Sequence, residues 1–273
     1  MSTVLHLSDP HFGTDQSPVE EALLQLAGTQ QPDLLILSGD VTQRARRHQF
    51  DRAAAFLQRL GIANTIVLPG NHDIPLFNVF ARAFTPYGNY MRAFDDLEPE
   101  YESEDLLAVG VNTTRPGRHT VGTISPKQID RISRRLRHAA PEQLRIVVTH
   151  QPVHVIRPSD EKNILRGHLD AVQAWASAGA DLILGGHIHL PYVRPLKEIL
   201  PDLPRPLWAV QAGTSLSWRI RSSIPNSVNI IRYLASDTPR HCVVDRWDYD
   251  HERGSFARTD QHVLHLGDTF TAR

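Results

Sequence analysis

LILGGHIHLP, residues 182–191, runs from an apolar stretch through two glycines to two histidines set one residue apart. Leu182, Ile183 and Leu184 read as a short strand covered on both faces, since no polar residue alternates with them. If the strand continued, His187 and His189 would share a face and chelate a single ion. If the glycines turn the chain, the two imidazoles diverge and serve separate ions. The choice depends on what the rest of the chain brings to this strand's end.

The same design recurs upstream. Strands are expected at residues 4–7, 34–37, 65–68, 107–111 and 146–148, between stretches whose apolar residues have helical spacing. One such stretch, 49–60, aligns Phe50, Ala53, Ala54, Leu57 and Leu60. Another starts at Ser125, where Ser125, Pro126 and Gln128 form an N-cap, a first-turn proline and a capping-box partner. Helices are also expected at 19–27 and at 169–177, the latter ended by Gly179. Strands alternating with helices predict an α/β fold, in which the carboxyl ends of the strands form a shared crevice.

All but one of these strands end in residues able to bind a metal. The endings are Ser8-Asp9-Pro10-His11, Ser38-Gly39-Asp40, Gly70-Asn71-His72-Asp73, Thr149-His150 and Gly186-His187-Ile188-His189. Only 107–111 lacks one, being followed by Asn112 and Thr113. Asp and Asn offer oxygen and His offers nitrogen, a mixture suited to Mn, Fe, Zn or Co rather than to Ca or Mg. Asp9, His11, Asp40, Asn71, His150, His187 and His189 are too many for one tetrahedral ion. Two ions sharing a bridging carboxylate would use them all.

In this order, each after a strand, Asp-x-His, Gly-Asp, Gly-Asn-His-Asp, His and Gly-His-x-His resemble the motifs of the calcineurin-like metallophosphoesterase superfamily. Within it, the small bacterial class III cyclic-nucleotide phosphodiesterases are the most similar. The resemblance implies a four-layer αββα sandwich of two mixed β-sheets flanked by helices. It also implies two divalent transition-metal ions per chain, one held by Asp9, His11 and His189, the other by Asn71, His150 and His187, with Asp40 between them. A hydroxide bridging ions about 3.5 to 4 Å apart would attack phosphorus in line. His72, not a ligand, would steady the developing charge or protonate the leaving oxygen.

There is one departure from the family pattern. Calcineurin-type phosphatases carry an aspartate three positions after the metal aspartate, paired with the catalytic histidine, and then an arginine that binds phosphate. Gln43 and Arg44 stand there in this chain. Asp73 is then either a substitute partner for His72 or a turn residue, and Arg44 either a phosphate contact or an exposed arginine. His154, four residues past His150, and Arg219 and Arg221 in the polar stretch 213–229 are further candidates for substrate contact.

The implied substrate is a small phosphodiester, first a 3',5'-cyclic nucleotide. The alternative is UDP-2,3-diacylglucosamine, a lipid A precursor whose pyrophosphate relatives cleave. Residues 74–96 bear on this choice, with Leu76, Phe77, Phe80, Phe84, Tyr87, Tyr90, Met91 and Phe94 at roughly helical intervals. They read as a helical hairpin packed on the core, or as a cap whose aromatic side chains border a ligand site. A nuclease is disfavoured by the net charge of -1, as is any partner bound by charge alone along nucleic acid. A metal-free protein-binding scaffold would have lost ligands, and all seven are present.

At 273 residues the chain can bury a core without disulfide or metal staples, so any metal is expected to be functional. Cys242, the only cysteine, excludes an internal disulfide. No linker interrupts the chain, and a single domain over 1–273 is expected. Strands at 208–211, 228–234, 242–249 and 256–266 predict a second, largely antiparallel sheet over 207–266. The stretch 194–206, with four prolines, reads as an ordered surface loop. The N-terminus enters a strand without a basic and apolar leader, which predicts a cytoplasmic protein. No run approaches the roughly 18 apolar residues of a membrane span. A membrane surface enters only if the substrate is a lipid, and the sequence does not address oligomeric state.

Overall fold

Alternation of side chains along the strands decides how the layers stack. In the strand Ser2–Leu7 (β1), Leu5 and Leu7 join one core and Val4 another, and all three are buried. Leu34–Leu37 (β2) repeats the division, with Leu35 and Leu37 on the first side and Leu34 and Ile36 on the second. Strands buried on both faces explain the continuous apolar runs in the sequence.

The computed structural model describes residues 1–268. Its first sheet runs in the order β12 (Ser255–His265), β11 (His241–Asp250), β10 (Ser227–Tyr233), β1, β2, β3 (Asn64–Val67). The second runs β4 (Glu100–Glu102), β5 (Leu106–Gly110), β6 (Leu144–Val148), β7 (Leu182–Gly185), β9 (Trp208–Gln211), β8 (Tyr192–Pro195). Within the first, β1, β2 and β3 are parallel, as are β5, β6, β7 and β9 within the second.

Helices α1 (Ser17–Gln30) and α2 (Arg47–Leu60) cover the outer face of the first sheet through Leu23, Leu26, Phe50, Ala53 and Phe56. After them come two short helices, α3 (Val79–Phe84) and α4 (Gly88–Phe94). Helices α5 (Pro126–Arg137) and α6 (His168–Ser177) cover the second sheet through Ile129, Ile132, Leu136, Val172 and Trp175, and α7 (Leu196–Ile199) adds Leu196. Between the sheets lies a third core of Val4, Ile36, Ile66, Ala108, Ile146, Val148 and Leu184. The result is the expected four-layer sandwich of two mixed sheets flanked by helices. At α5, Gln128 N–H donates to Ser125 Oγ (3.3 Å) and Ser125 N–H to Gln128 Oε1 (3.1 Å), completing the capping box.

The C-terminal strands depart from expectation. They do not form a sheet of their own over 207–266. The connection through β8 and α7 is long enough for a crossover, so β9 pairs in parallel with β7. Short turns then make β10, β11 and β12 an antiparallel extension from the free edge of β1. The stretch 194–206 likewise holds the end of β8 and α7 rather than loop alone.

Residues 74–96 divide in two, because Pro86 stops α3 after Thr85 and α4 starts a new direction. On α4, Tyr90 is fully buried, and Met91 and Phe94, with Tyr87 just before the helix, are half-buried against the first core. On the preceding half, Phe77, Phe80 and Phe84 are exposed. Among the described residues, no helix is long and apolar enough to cross a membrane.

Candidate metal centre

Past the ends of β1 and β2 the chain stays zipped together. Asp9 N–H donates to the Gly39 carbonyl and His11 N–H to the Asp40 carbonyl, each at 3.1 Å. The second sheet is tied in by Gly186 N–H to the His150 carbonyl (3.0 Å) and by His187 N–H to Asp9 Oδ2 (2.9 Å). Such close approach requires glycine at Gly186, where a Cβ would collide with Ser8 Oγ and Asp9 Oδ2.

These contacts hold Asp9, His11, Asp40, His187 and His189 in the left-handed backbone region, with φ from 47° to 73°. Each such residue costs about 1 to 3 kcal/mol, and strain of this kind persists where the surroundings impose it, above all at functional sites.

The side chains converge as two triads. Asp9, His11 and His189 form one, and Asp40, His150 and His187 the other, with the facing donor atoms of each within 4.8 Å of one another; a third group at the same spacing, His11, Asp40 and His72, draws on one member of each. In the first, His189 Nε2 lies 3.2 Å from Asp9 Oδ1 and 3.1 Å from His11 Nε2. In the second, His150 Nε2 lies 3.3 Å from Asp40 Oδ1 and 3.2 Å from Asn71 Oδ1. The second Asp40 oxygen, Oδ2, is 3.8 Å from His11 Nε2, so one carboxylate faces both halves. The turn after β7 thus sends His187 and His189 to different triads.

The protonation pattern fits a pair of cations. His150 Nδ1 donates to the Ser38 carbonyl (2.9 Å) and His189 Nδ1 to the Arg219 carbonyl (2.8 Å), which turns the lone pair of each Nε2 inward. His187 Nδ1 is buried with no hydrogen-bond partner, an arrangement that an ion would relieve. Burial pushes His11 down to about 3 and His187 down to about 4, which keeps both rings neutral. Burial also depresses His150, but the Asp40 carboxylate outweighs it and lifts this ring to about 9. His150 would give up this proton on serving as a ligand in that half.

His72 lines a cleft of 520 Å³ above these residues, together with Asp40, Asn71, His187, Trp218 and Arg219. Its Nδ1 donates to the backbone carbonyl of Gln43 at 3.1 Å, and its backbone N–H to Asp40 Oδ1 at 2.8 Å. The Gln43 carbonyl thus orients the ring. Asp73 does something else: its carboxylate accepts from the N–H groups of Gly70, Val41 and Thr42 and from Thr42 Oγ1, at 2.7 to 3.0 Å. It clamps the two loops that carry Asp40 and Asn71. Asp73→Asn turns a donor toward backbone N–H groups and should cost about 2 to 3 kcal/mol. The expected readout is a lower urea midpoint at unchanged slope; an unmoved midpoint would refute the clamp.

The remaining candidates separate. Arg219 lines the cleft and donates through Nη1 to Gln43 Oε1 at 2.8 Å. Arg221 lines it too, anchored by Asp160 at 2.9 Å and by the Ile188 carbonyl at 3.0 Å. Arg44 instead lies 5.3 Å over the Phe77 ring, in a neighbouring groove. His154 is half-buried outside the cleft lining, its carbonyl accepting from the Tyr192 hydroxyl. Sequence reading passed over His119, whose ring centre is 6.3 Å from that of His72. It carries no motif, yet β5 lies among the parallel strands of the crevice, so the loop after it reaches the same edge.

Comparison with known proteins gives the same picture. The family model for the calcineurin-like phosphoesterases matches residues 2–191. A protein of Rhodococcus erythropolis named a probable cyclic nucleotide phosphodiesterase is 25% identical over 199 residues, or 68% of this chain; the match spans only 64% of that relative's length. A dimetal phosphatase from Danio rerio superposes with a TM-score of 0.67 at 13% identity, over 97% of this chain and 99% of that one. A purple acid phosphatase from yellow lupin reaches 0.73 at 11% identity, over 97% of this chain and 53% of that one. The structural likenesses bear on the fold, and the match to the family model extends from β1 through the last histidine of both triads. The chain belongs to the calcineurin-like phosphoesterase family.

Proposed function

We propose that this chain hydrolyses a phosphodiester at a two-metal centre, with a 3',5'-cyclic nucleotide as its substrate, in the cytoplasm. The supporting observation is one carboxylate, Asp40, placed between two buried triads at the floor of an open cleft. When bound, Mn, Fe, Zn or Co would neutralise phosphate oxygens and supply an activated water. The chain's own residues do the rest. Arg219 and Arg221, each fixed by a partner, present positive charge at the cleft wall. His72, held through Nδ1, keeps Nε2 as the ring atom free to give a proton to the leaving oxygen.

The volume of 520 Å³ exceeds what a phosphate alone needs, and its wall includes Trp218, Ile188 and Ile220. Trp218 is 63% exposed, an open indole face on which a nucleobase can stack. Such stacking contributes about 1 to 3 kcal/mol, so Trp218→Ala should raise KM for cyclic AMP about tenfold with kcat little changed. An unchanged KM would remove the base platform from this reading.

The decisive experiment compares kcat/KM for cyclic AMP, UDP-2,3-diacylglucosamine and bis(p-nitrophenyl) phosphate on the manganese-loaded protein. The expected order places cyclic AMP above the lipid-linked nucleotide. Preference for the lipid would overturn the substrate, and no cleavage of any of the three would overturn the activity.

A further inference from the structure

We propose that the surface of Phe77, Val79, Phe80 and Phe84, with the arginines beside it, docks this protein on a bilayer of anionic phospholipid. These four residues are 78%, 73%, 78% and 74% exposed, within eight positions of the chain. Large apolar side chains are common singly on protein surfaces, but a contiguous group marks a contact with something else. The Phe80 and Phe84 rings lie 5.3 Å apart, so the group is continuous along α3. Nothing in the core draws them inward, because Tyr87, Tyr90, Met91 and Phe94 of the next segment already fill that contact.

Charge selects the occupant. A groove of 420 Å³ beside the patch is lined by Arg44, Arg46 and Arg47 together with Leu76 and Phe77. Arg82 adds another cation on α3 itself. Among the described residues, no carboxylate bridges Arg44, Arg46 or Arg82, whereas Arg47 shares Asp51 with Arg92. Guanidinium groups that no described carboxylate neutralises, next to protruding aromatic rings, complement anionic headgroups above hydrocarbon. Phe80 and Phe84 project from a six-residue helix and stand outside the groove that Phe77 lines, which suits insertion into a fluid interface over capture of a partner's side chain.

The surface adjoins the cleft. Gln43, bonded to Arg219 in the cleft wall, precedes Arg44, whose guanidinium covers Phe77. Arg82 Nη2 also donates to the carbonyl of Arg118, next to His119. Docking would therefore set the cleft mouth at headgroup level. This holds whichever diester is cleaved, so a membrane surface enters without a lipid substrate, unlike the expectation from the sequence.

The test is co-sedimentation of the full chain with vesicles of phosphatidylcholine, alone or mixed with phosphatidylglycerol. Binding to the mixed vesicles should be at least about tenfold tighter and should weaken with salt. Phe80→Ser with Phe84→Ser should abolish sedimentation while turnover of soluble bis(p-nitrophenyl) phosphate is unchanged. Arg46→Gln with Arg47→Gln should reduce the preference for the anionic vesicles. Equal or absent binding to both vesicles, or a serine variant that sediments like the parent, overturns the proposal. A dimer in light scattering that the serine variant loses, without vesicle binding, assigns the patch to a second copy instead.

Discussion

His187→Ala should bind one ion per chain where the parent binds two, and should lose about three orders of magnitude in turnover. The magnitude follows from the several kcal/mol that a bound ion contributes to the transition state, at about 1.4 kcal/mol per tenfold in rate. His187 is buried, its Nδ1 lacks a partner, and it shares a triad with Asp40 and His150. Removing it leaves that half with His150, Asn71 and a carboxylate shared with the other half. Elemental analysis checks the first expectation and steady-state rates the second. Retention of two ions at near-normal turnover would refute the assignment. Backbone strain offers an independent check, because His187 has φ 73°. His187→Gly should be as inactive as His187→Ala yet more stable by about 1 kcal/mol, since glycine removes the left-handed penalty.

The sequence discloses which residues meet, though not how they are held. Polar endings on apolar runs locate Asp9, His11, Asp40, Asn71, His150, His187 and His189 at one edge of the sheets, because parallel strands bring their carboxyl ends together. Two things lie beyond that logic. The left-handed backbone at five of these residues follows from loop-to-loop hydrogen bonds that no local pattern encodes. The partner of His72 is a backbone carbonyl, which every residue owns, so no side-chain motif could identify Gln43 in that role. The same reasoning explains the C-terminal strands. Their existence follows from local composition, but the sheet each one joins follows from connection length and from which edges stay open. His119 was hidden for a related reason, since its strand ends in Asn112 and Thr113 and only the loop beyond returns to the cleft.

His72→Ala should keep both ions and lose about 10²- to 10⁴-fold in turnover of cyclic AMP, the range for a positioned proton donor. The ring falls in a donor group with His11 and Asp40, but its removal leaves both triads complete, so metal content should match the parent. The loss should depend on the leaving group. The ribose alkoxide released from cyclic AMP must be protonated, whereas p-nitrophenolate leaves as a stable anion, so bis(p-nitrophenyl) phosphate should suffer far less. Asp73→Asn supplies the control, because Asp73 grips backbone N–H groups and does not touch the imidazole. It should reduce stability while leaving the ratio of the two substrates unchanged. Equal losses on both substrates in His72→Ala would show that the ring stabilises charge on phosphorus rather than protonating the leaving oxygen. Near-normal turnover of cyclic AMP would remove His72 from the reaction altogether.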